Sequence, residues 1–557
     1  MTLRIAKVAK LLPTAVREAD RWLVRRPAWG RGMALFLAVL LAGLHFFFRP
    51  SVQHQVWDSL ECAYVAEETA WGRINMDHPL GHVVLNGGYV IARMLGYDGR
   101  ALTVFAGANA VLAACALYAL FSLFAGVMGI APLLSLGLVL FVGSVNGMWR
   151  YAGTGDIYVF VILTSVLAWR EMVKWGRSAV GAGHSWLAAG LLCAAALAAY
   201  KVNGMLVAAG CLIGWREGRR SLREVAGFIA AGLTVGVCGY LLCGWLAYPA
   251  GTSASAGWAW TTSQFTDQIW GRFLMWSFLG EGIKAAQGAF LAPAWNEPAR
   301  VWRAGVTVLC SLLLVYAVGR VVLQRGAGWR KRVTLGALAQ AGLSAILIQW
   351  WRPWSGKIWF PLIVPAAVMI GAYVAGREWN KEEGRHSPRF ACANLLAWGL
   401  AGSVLLFNLW FGGLSQWRNS RVFDRAVSTW LEYTDANDTV ITAGDLMPQL
   451  RFWYDRPKTR PLMEIYRKQD SNRFKEVRAD FDRALRMGSG VYVSRAITNY
   501  LWEPLLEASG VSPGDLADFF DEYEWEYAFT YTNETDETAA AVHRLSGRRT
   551  PLGANKR

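Results

Sequence analysis

Hydrophobic positions divide the chain into a long membrane-type part and a shorter part of mixed character. Eleven apolar runs occupy residues 33–48, 101–121, 131–148, 157–170, 185–200, 203–215, 225–248, 303–323, 333–350, 358–376 and 390–413. A helix that crosses a bilayer needs about 20 residues, so the runs 185–200 and 203–215 are short and are expected to be tilted or tightly joined. The pattern predicts a polytopic α-helical membrane protein of about 11 transmembrane helices.

Basic residues occupy every second connection between the apolar runs, apart from a neutral turn near residues 126–131. The cytoplasmic segment predicted at 1–32 is basic, and so are four later connections. They carry Arg170, Lys174 and Arg177; Arg216, Arg219, Arg220 and Arg223; Arg325, Arg330, Lys331 and Arg332; and Arg377, Lys381, Arg385 and Arg389. Because loops rich in Lys and Arg remain in the cytoplasm, we expect the N-terminus inside and the chain after residue 413 outside.

Composition narrows the class of protein further. Hydrophobic residues make up 54% of the 557-residue chain, and the net charge is +16. The basic residues form blocks between apolar runs, so no nucleic-acid partner is expected. Seven of the eight Cys lie in or at apolar runs, and Cys62 has no evident partner. Neither a disulfide framework nor a CxxC metal site is expected.

The chain organisation is predicted to include two long outer loops and a C-terminal domain. The loops are 49–100 and 249–303, inside a transmembrane domain that spans 33–413. From residue 414, helices and strands alternate, with strands near 439–444, 490–494 and 524–531. This order predicts a soluble α/β domain over 414–547, with a largely parallel sheet and a disordered tail at 548–557.

Ionisable side chains gather at four places on the predicted outer face. They are Asp58 with Glu61; Asp77 with His78; Arg150 with Asp156; and the cations Lys201, Arg352 and Lys357. Charged groups near a bilayer are costly, so they are functional candidates. Each also has a structural interpretation: Asp156 could cap the next helix, His78 could shape a turn beside Pro79, and the cations could snorkel from helix ends.

The combination resembles the GT-C superfamily of membrane glycosyltransferases, in particular the protein mannosyltransferase and lipid A aminoarabinose transferase type. The resemblance covers the layout of residues 30–415. It is carried by Asp58-x-x-Glu61 with Gly72 and His78-Pro79-Leu80, by the turn from Tyr151 to Tyr158, and by Trp359–Pro365. Many members carry two adjacent acids in this loop, whereas here Ser59 follows Asp58. No cofactor is therefore predicted, and a divalent metal stays an open alternative.

The resemblance implies transfer of a sugar from a polyprenyl-phosphate donor to a glycan, lipid or protein acceptor at the outer face. We expect Asp58 to act as the general base and the cations to bind the phosphate, with inversion at the anomeric carbon. A transporter or flippase, an O-antigen ligase or polymerase, and a non-catalytic scaffold are the alternatives. The predicted location is a bacterial inner membrane, in contact with membrane lipids, with the C-terminal domain in the periplasm.

Overall fold

The computed structural model describes most of the chain in two compact units. The described residues are 14–16, 18–49, 57–69, 78–177, 185–215, 219–247, 279–294, 296–324, 328–351, 356–375, 388–414, 425–442, 459–461, 474–494, 518–532 and 539–548. The first unit comprises Met1–Arg49 and Val65–Ser415, and the second comprises Pro50–Tyr64 and Gln416–Arg557.

The first unit is helical throughout its described part. Its helices, with one that begins in the second unit, are α1 Pro27–Phe47, α2 Trp57–Thr69, α3 Pro79–Met94, α4 Ala101–Phe121, α5 Pro132–Gly143, α6 Asn146–Tyr151, α7 Tyr158–Arg177, α8 Ser185–Ala199, α9 Leu206–Gly214, α10 Arg219–Ala247, α11 Leu279–Phe290, α12 Glu297–Leu323, α13 Gly328–Trp351, α14 Gly356–Trp359, α15 Ile363–Ala375 and α16 Pro388–Asn408. A 3-10 helix, Lys201–Met205, precedes α9, and another, Phe360–Leu362, precedes α15. π-Helical turns extend α4 and α16.

All eleven apolar runs of the sequence overlap helices in the described residues, so the prediction of a helical membrane protein is confirmed. Six helices among these residues are long and apolar enough to cross a bilayer, and four apolar helices are shorter. The short ones include Ser185–Ala199 and Lys201–Gly214, the pair predicted to be short. Eleven crossings therefore stay a prediction, because membrane-spanning length is reached by only part of the described set.

Polar side chains link the helices of the first unit inside an otherwise apolar interior. The indole of Trp169 donates a hydrogen bond to Gln340 at 2.8 Å, which joins α7 to α13. Arg332 donates to the carbonyl oxygens of Ile213, at 3.2 Å, and Gly176, at 2.9 Å. Because the last carbonyls of a helix lack partners within it, one guanidinium closes the ends of α7 and α9 together.

The second unit contains a five-stranded sheet with the order β2-β1-β3-β5-β4. The strands are β1 Thr439–Thr442, β2 Thr459–Pro461, β3 Val491–Ser494, β4 Tyr523–Thr532 and β5 Ala539–Arg548. β1 pairs in parallel with β2 and β3, whereas β5 runs antiparallel to β3 and β4. The sequence predicted a largely parallel sheet, whereas two of these four pairings are antiparallel. The strands β2 and β5 were not predicted.

Both faces of this sheet are covered by helices. The helix 425–433 places Trp430 against Val440 and Phe529, while the helix Lys475–Met487 places Phe481 on the opposite face with Ile441. Val440 and Ile441 are consecutive, and side chains alternate between the two faces of a strand. The second unit is therefore a layered α/β domain with its own core, as the alternating pattern predicted.

Candidate functional site

The candidate site in the first unit is built around the turn between α6 and α7, residues 152–157. Asn109 of α4 is fully buried and donates from Nδ2 to the carbonyl oxygen of Thr154, at 2.7 Å, and to that of Asp156. A single amide side chain thus holds two carbonyl groups of this turn against α4. The turn needs such a partner because buried carbonyl groups without hydrogen bonds are costly.

Asp156 lies in this turn and is only 2% exposed. Its Oδ1 accepts a hydrogen bond of 2.9 Å from the backbone N–H of Ile157, one residue before α7 begins. A capping side chain accepts from the second or third N–H of its helix, whereas Ile157 precedes α7, so this bond fixes the turn and is not that of an N-cap. Its burial beside the other candidates leaves a role in the site open to test.

Two close approaches bring other elements onto the turn. A Cβ on Gly153 would lie 2.6 Å from the carbonyl oxygen of His45 and 2.9 Å from the Cβ of Arg49, so the end of α1 reaches the turn only because residue 153 is Gly. A Cβ on Gly81 would lie 3.0 Å from the side chain of Ile157. The first turn of α3 therefore rests directly on the residues that precede α7.

Five rings meet beside the turn and form what we call the ring cluster: His78, Tyr151, Tyr158, Tyr200 and Phe360. The ring of His78 lies 5.3 Å from that of Tyr158 and 5.0 Å from that of Tyr200, and Tyr158 lies 5.7 Å from Tyr200. Tyr151 lies 5.3 Å from Tyr158 and 5.6 Å from Phe360. Each ring is at most 3% exposed. Such ring spacings stabilise a fixed arrangement of the five segments that carry them.

Cations flank the ring cluster. Arg150 precedes Tyr151 directly, is exposed, and holds its guanidinium 5.8 Å from the Tyr151 ring. Lys201 follows Tyr200 and opens a 3-10 helix, where it is half-buried. Arg49 was not a candidate from the sequence, yet its Cβ touches the turn and its guanidinium donates to the carbonyl oxygen of Phe46 at 2.8 Å. Burial lowers the pKa of Arg49 from its ordinary value.

The remaining candidates are described by their backbone alone or lie outside the described residues. Asp58 and Glu61 lie on α2, one helical turn apart, in the part of α2 that belongs to the second unit. Lys357 lies on the short helix α14. Asp77 and Arg352 fall outside the described residues. Of the nine candidates, the structure therefore places His78 in the ring cluster, Asp156 in the adjoining turn, and Arg150 and Lys201 next in sequence to rings of the cluster.

No His, Cys, Asp or Glu side chains in the described part of the chain form a group of three or more arranged to hold a metal ion. The side chains of Asp58, Glu61 and Asp77 are not among those described. The site as described is therefore made of aromatic rings, hydroxyls, one carboxylate and peripheral cations. The exposed Arg150 and the half-buried Lys201 suit contact with a phosphate, while the buried rings fix the segments that carry them.

The fold and the site define a multi-pass helical membrane protein with a separate α/β domain, and solved structures were compared with it. No described protein family and no curated protein matches the chain. One solved structure that matches is the protein O-mannosyltransferase Pmt1–Pmt2 complex of Saccharomyces cerevisiae bound to its sugar donor. It is 17% identical with a TM-score of 0.33, and the match covers 39% of this chain and 33% of that one. The chain thus spans about a third of the yeast protein.

Two further matches extend over most of the chain. The oligosaccharyltransferase of Archaeoglobus fulgidus, tethered with an acceptor peptide, is 12% identical with a TM-score of 0.43, over 96% of this chain and 76% of that one. ArnT of Cupriavidus metallidurans in the apo state is 11% identical with a TM-score of 0.39, over 92% of this chain and 98% of that one. All three are GT-C membrane glycosyltransferases, the superfamily that the sequence resembles.

Proposed function

We propose that the protein is an inverting glycosyltransferase that moves a sugar from a polyprenyl-phosphate donor to an acceptor at the outer face of the membrane. The observation that carries the proposal is the ring cluster, with Arg150 and Lys201 next in sequence to two of its rings and Asp156 in the adjoining turn. Arg and Lys side chains bind phosphate groups such as that of a polyprenyl-phosphate donor. The sequence pattern around Asp58 supports the same class of reaction.

In the proposed reaction, Asp58 accepts the proton of the acceptor hydroxyl as its oxygen attacks the anomeric carbon. The bond from that carbon to the phosphate oxygen breaks on the opposite side, so the configuration inverts. The departing polyprenyl phosphate keeps the bonding electrons, and its charge is balanced by Arg150 and Lys201, with Arg352 and Lys357 as further proposed contacts. No second nucleophile is required in such a single displacement.

We propose that the donor reaches the site from the bilayer, with its tail between helices. The apolar surface of α12 supports this route, since only 11% of the residues in its most apolar segment are buried within the protein. The acceptor is proposed to be a glycan, a lipid or a protein. The location is proposed to be a bacterial inner membrane, with a cytoplasmic N-terminus and a periplasmic α/β unit.

The test uses the purified full-length protein in detergent with a panel of radiolabelled polyprenyl-phosphate sugars, and it measures sugar release or transfer. Asp58→Asn should lower turnover of the accepted donor by about 10²-fold or more, because a general base typically contributes that factor. The matched control is Asp98→Asn, which removes an exposed acid from the same predicted outer loop and should leave turnover unchanged.

The outcomes separate the enzyme class from the assigned base. If a donor is consumed and Asp58→Asn is as active as Asp98→Asn, the class stands and Asp58 is not the base. If folded protein neither binds nor consumes any donor, the glycosyltransferase proposal is wrong. The transporter and ligase alternatives would then be tested next.

A further inference from the structure

The N-terminal arm, residues 18–25, is a short helix joined to the first membrane helix by a bend. The backbone leaves helical geometry at Arg26, where φ is −128° and ψ is 70°, and α1 begins at Pro27. Because Pro at the first helical position has no N–H to lose, it starts α1 without strain. The arm and α1 are therefore separate helices that meet at Arg26.

One side of the arm is fixed to the helix bundle. Asp20 and Leu23 are 4% and 2% exposed. The Oδ1 of Asp20 accepts a hydrogen bond of 3.2 Å from the backbone N–H of Leu133, in the first turn of α5. The first N–H groups of a helix lack partners within it, so a carboxylate is favourable there. The arm is thus held at the end of the bundle where α1 and α5 begin.

The other side of the arm and the start of α1 present a basic and aromatic surface, which we call the arm face. It consists of Arg21, Trp22, Arg25, Arg26, Trp29 and Arg31, all of which are exposed. The rings of Trp22 and Trp29 lie 5.6 Å apart, and the guanidinium of Arg26 lies 5.3 Å from the centre of the Trp22 ring. Among the described residues 18–31, Glu18 is the only exposed acid.

We propose that the arm face binds the headgroups of anionic phospholipids at the membrane surface where α1 begins. Trp side chains concentrate at the level of lipid headgroups, and Trp29 lies in the first turn of a membrane helix. Basic residues beside a membrane helix are attracted to anionic lipids, each contributing a factor of about five in affinity. The four guanidinium groups of the arm face carry the positive charge that attracts anionic headgroups, and its two exposed indoles suit the headgroup level of the bilayer. The proposal does not depend on the enzymatic function.

The experiment titrates the purified full-length protein with phosphatidylglycerol and with phosphatidylcholine, and follows lipid adducts by native mass spectrometry. The test variant carries Arg21→Gln, Arg25→Gln and Arg26→Gln. The matched control carries Arg425→Gln, Arg486→Gln and Arg544→Gln, which remove the same charge from exposed sites in the second unit. A third variant with Lys at positions 21, 25 and 26 retains the charge.

We expect the test variant to weaken the first phosphatidylglycerol adduct by at least about tenfold, with the control and the Lys variant near wild type. Phosphatidylcholine binding should stay unchanged in all of them. High salt, near 1 M, should remove the difference, since the screening length there is about 3 Å. Thermal unfolding of each variant shows that the comparison is made on folded protein.

Three results would overturn the proposal. Equal losses in the test and control variants would mean that net charge alone attracts the lipid. Displacement of the lipid by millimolar inorganic phosphate would indicate a small-anion site instead of a lipid surface. Unchanged lipid affinity in the test variant would exclude the arm face as a lipid site and would favour a protein partner for it.

Discussion

Asn408, the last residue of α16, provides the sharpest test of how the first unit is held together. It is fully buried, and its amide makes three hydrogen bonds. Oδ1 accepts from the N–H of Ala292 at 2.8 Å, while Nδ2 donates to the carbonyl oxygens of Ser144, at 2.8 Å, and Phe290, at 3.1 Å. One side chain thus joins α16 to the ends of α5 and α11.

Asn408→Leu keeps a similar volume, removes all three hydrogen bonds and leaves one N–H and two C=O groups without this partner. Hydrogen bonds between membrane helices contribute about 0.6 kcal/mol on average and up to about 1.7 kcal/mol. Three such bonds therefore give about 2 to 5 kcal/mol. We expect a loss in this range because the bonded groups are backbone atoms at helix ends, which find few other partners in an apolar interior.

The assay is equilibrium unfolding of the full-length protein in mixed micelles of increasing denaturing detergent. Asn296→Ala serves as the comparator, since Asn296 caps α12 through one bond of 2.9 Å to Ala299 and its loss should cost about 1 kcal/mol. If Asn408→Leu unfolds within about 0.5 kcal/mol of wild type, the amide does not stabilise the contact of α5, α11 and α16.

Two further predictions concern the turn and the α/β unit. Asn109→Leu removes the hydrogen-bond donor to the carbonyl oxygens of Thr154 and Asp156. Because Arg150 and Tyr158 would then be misplaced, the rate of sugar transfer by the proposed enzyme should fall by about 10²-fold, measured as kcat and KM. Unchanged kinetics in folded protein would contradict this prediction. The hydrogen bond from Arg478 lowers the pKa of Glu522, so this pair should stabilise the folded unit above about pH 4.3, with the gain lost as pH falls through the folded pKa. Arg478→Met should abolish this loss of stability at low pH. The measurement is hydrogen exchange of residues 474–494 as a function of pH. If the loss at low pH is the same in the variant and the wild type, the Arg478–Glu522 pair is not its cause.

The pattern of apolar residues predicted a helical membrane protein and most of its helices. Apolar runs of membrane length predict helices because every backbone polar group must be paired inside a bilayer. The same local logic predicted the strands β1 and β3, whose short apolar runs end at turns. These features depend only on residues close together in the chain.

Tertiary structure decided which of the candidates meet. The spacing of His78, Arg150, Asp156 and Lys201 says nothing about distance across helices, and the ring cluster forms only once their segments pack. Asn109 and Arg49 escaped the sequence analysis because an amide in a helix and an Arg at its end have no pattern of their own. β5 was missed because its Ala-rich start carries little strand preference, and pairing with β3 and β4 supplies the missing stability. The spacing of apolar residues along the chain predicts helices, strands and their buried faces. A site depends on contacts between residues far apart in the sequence, and these form only when the chain is packed.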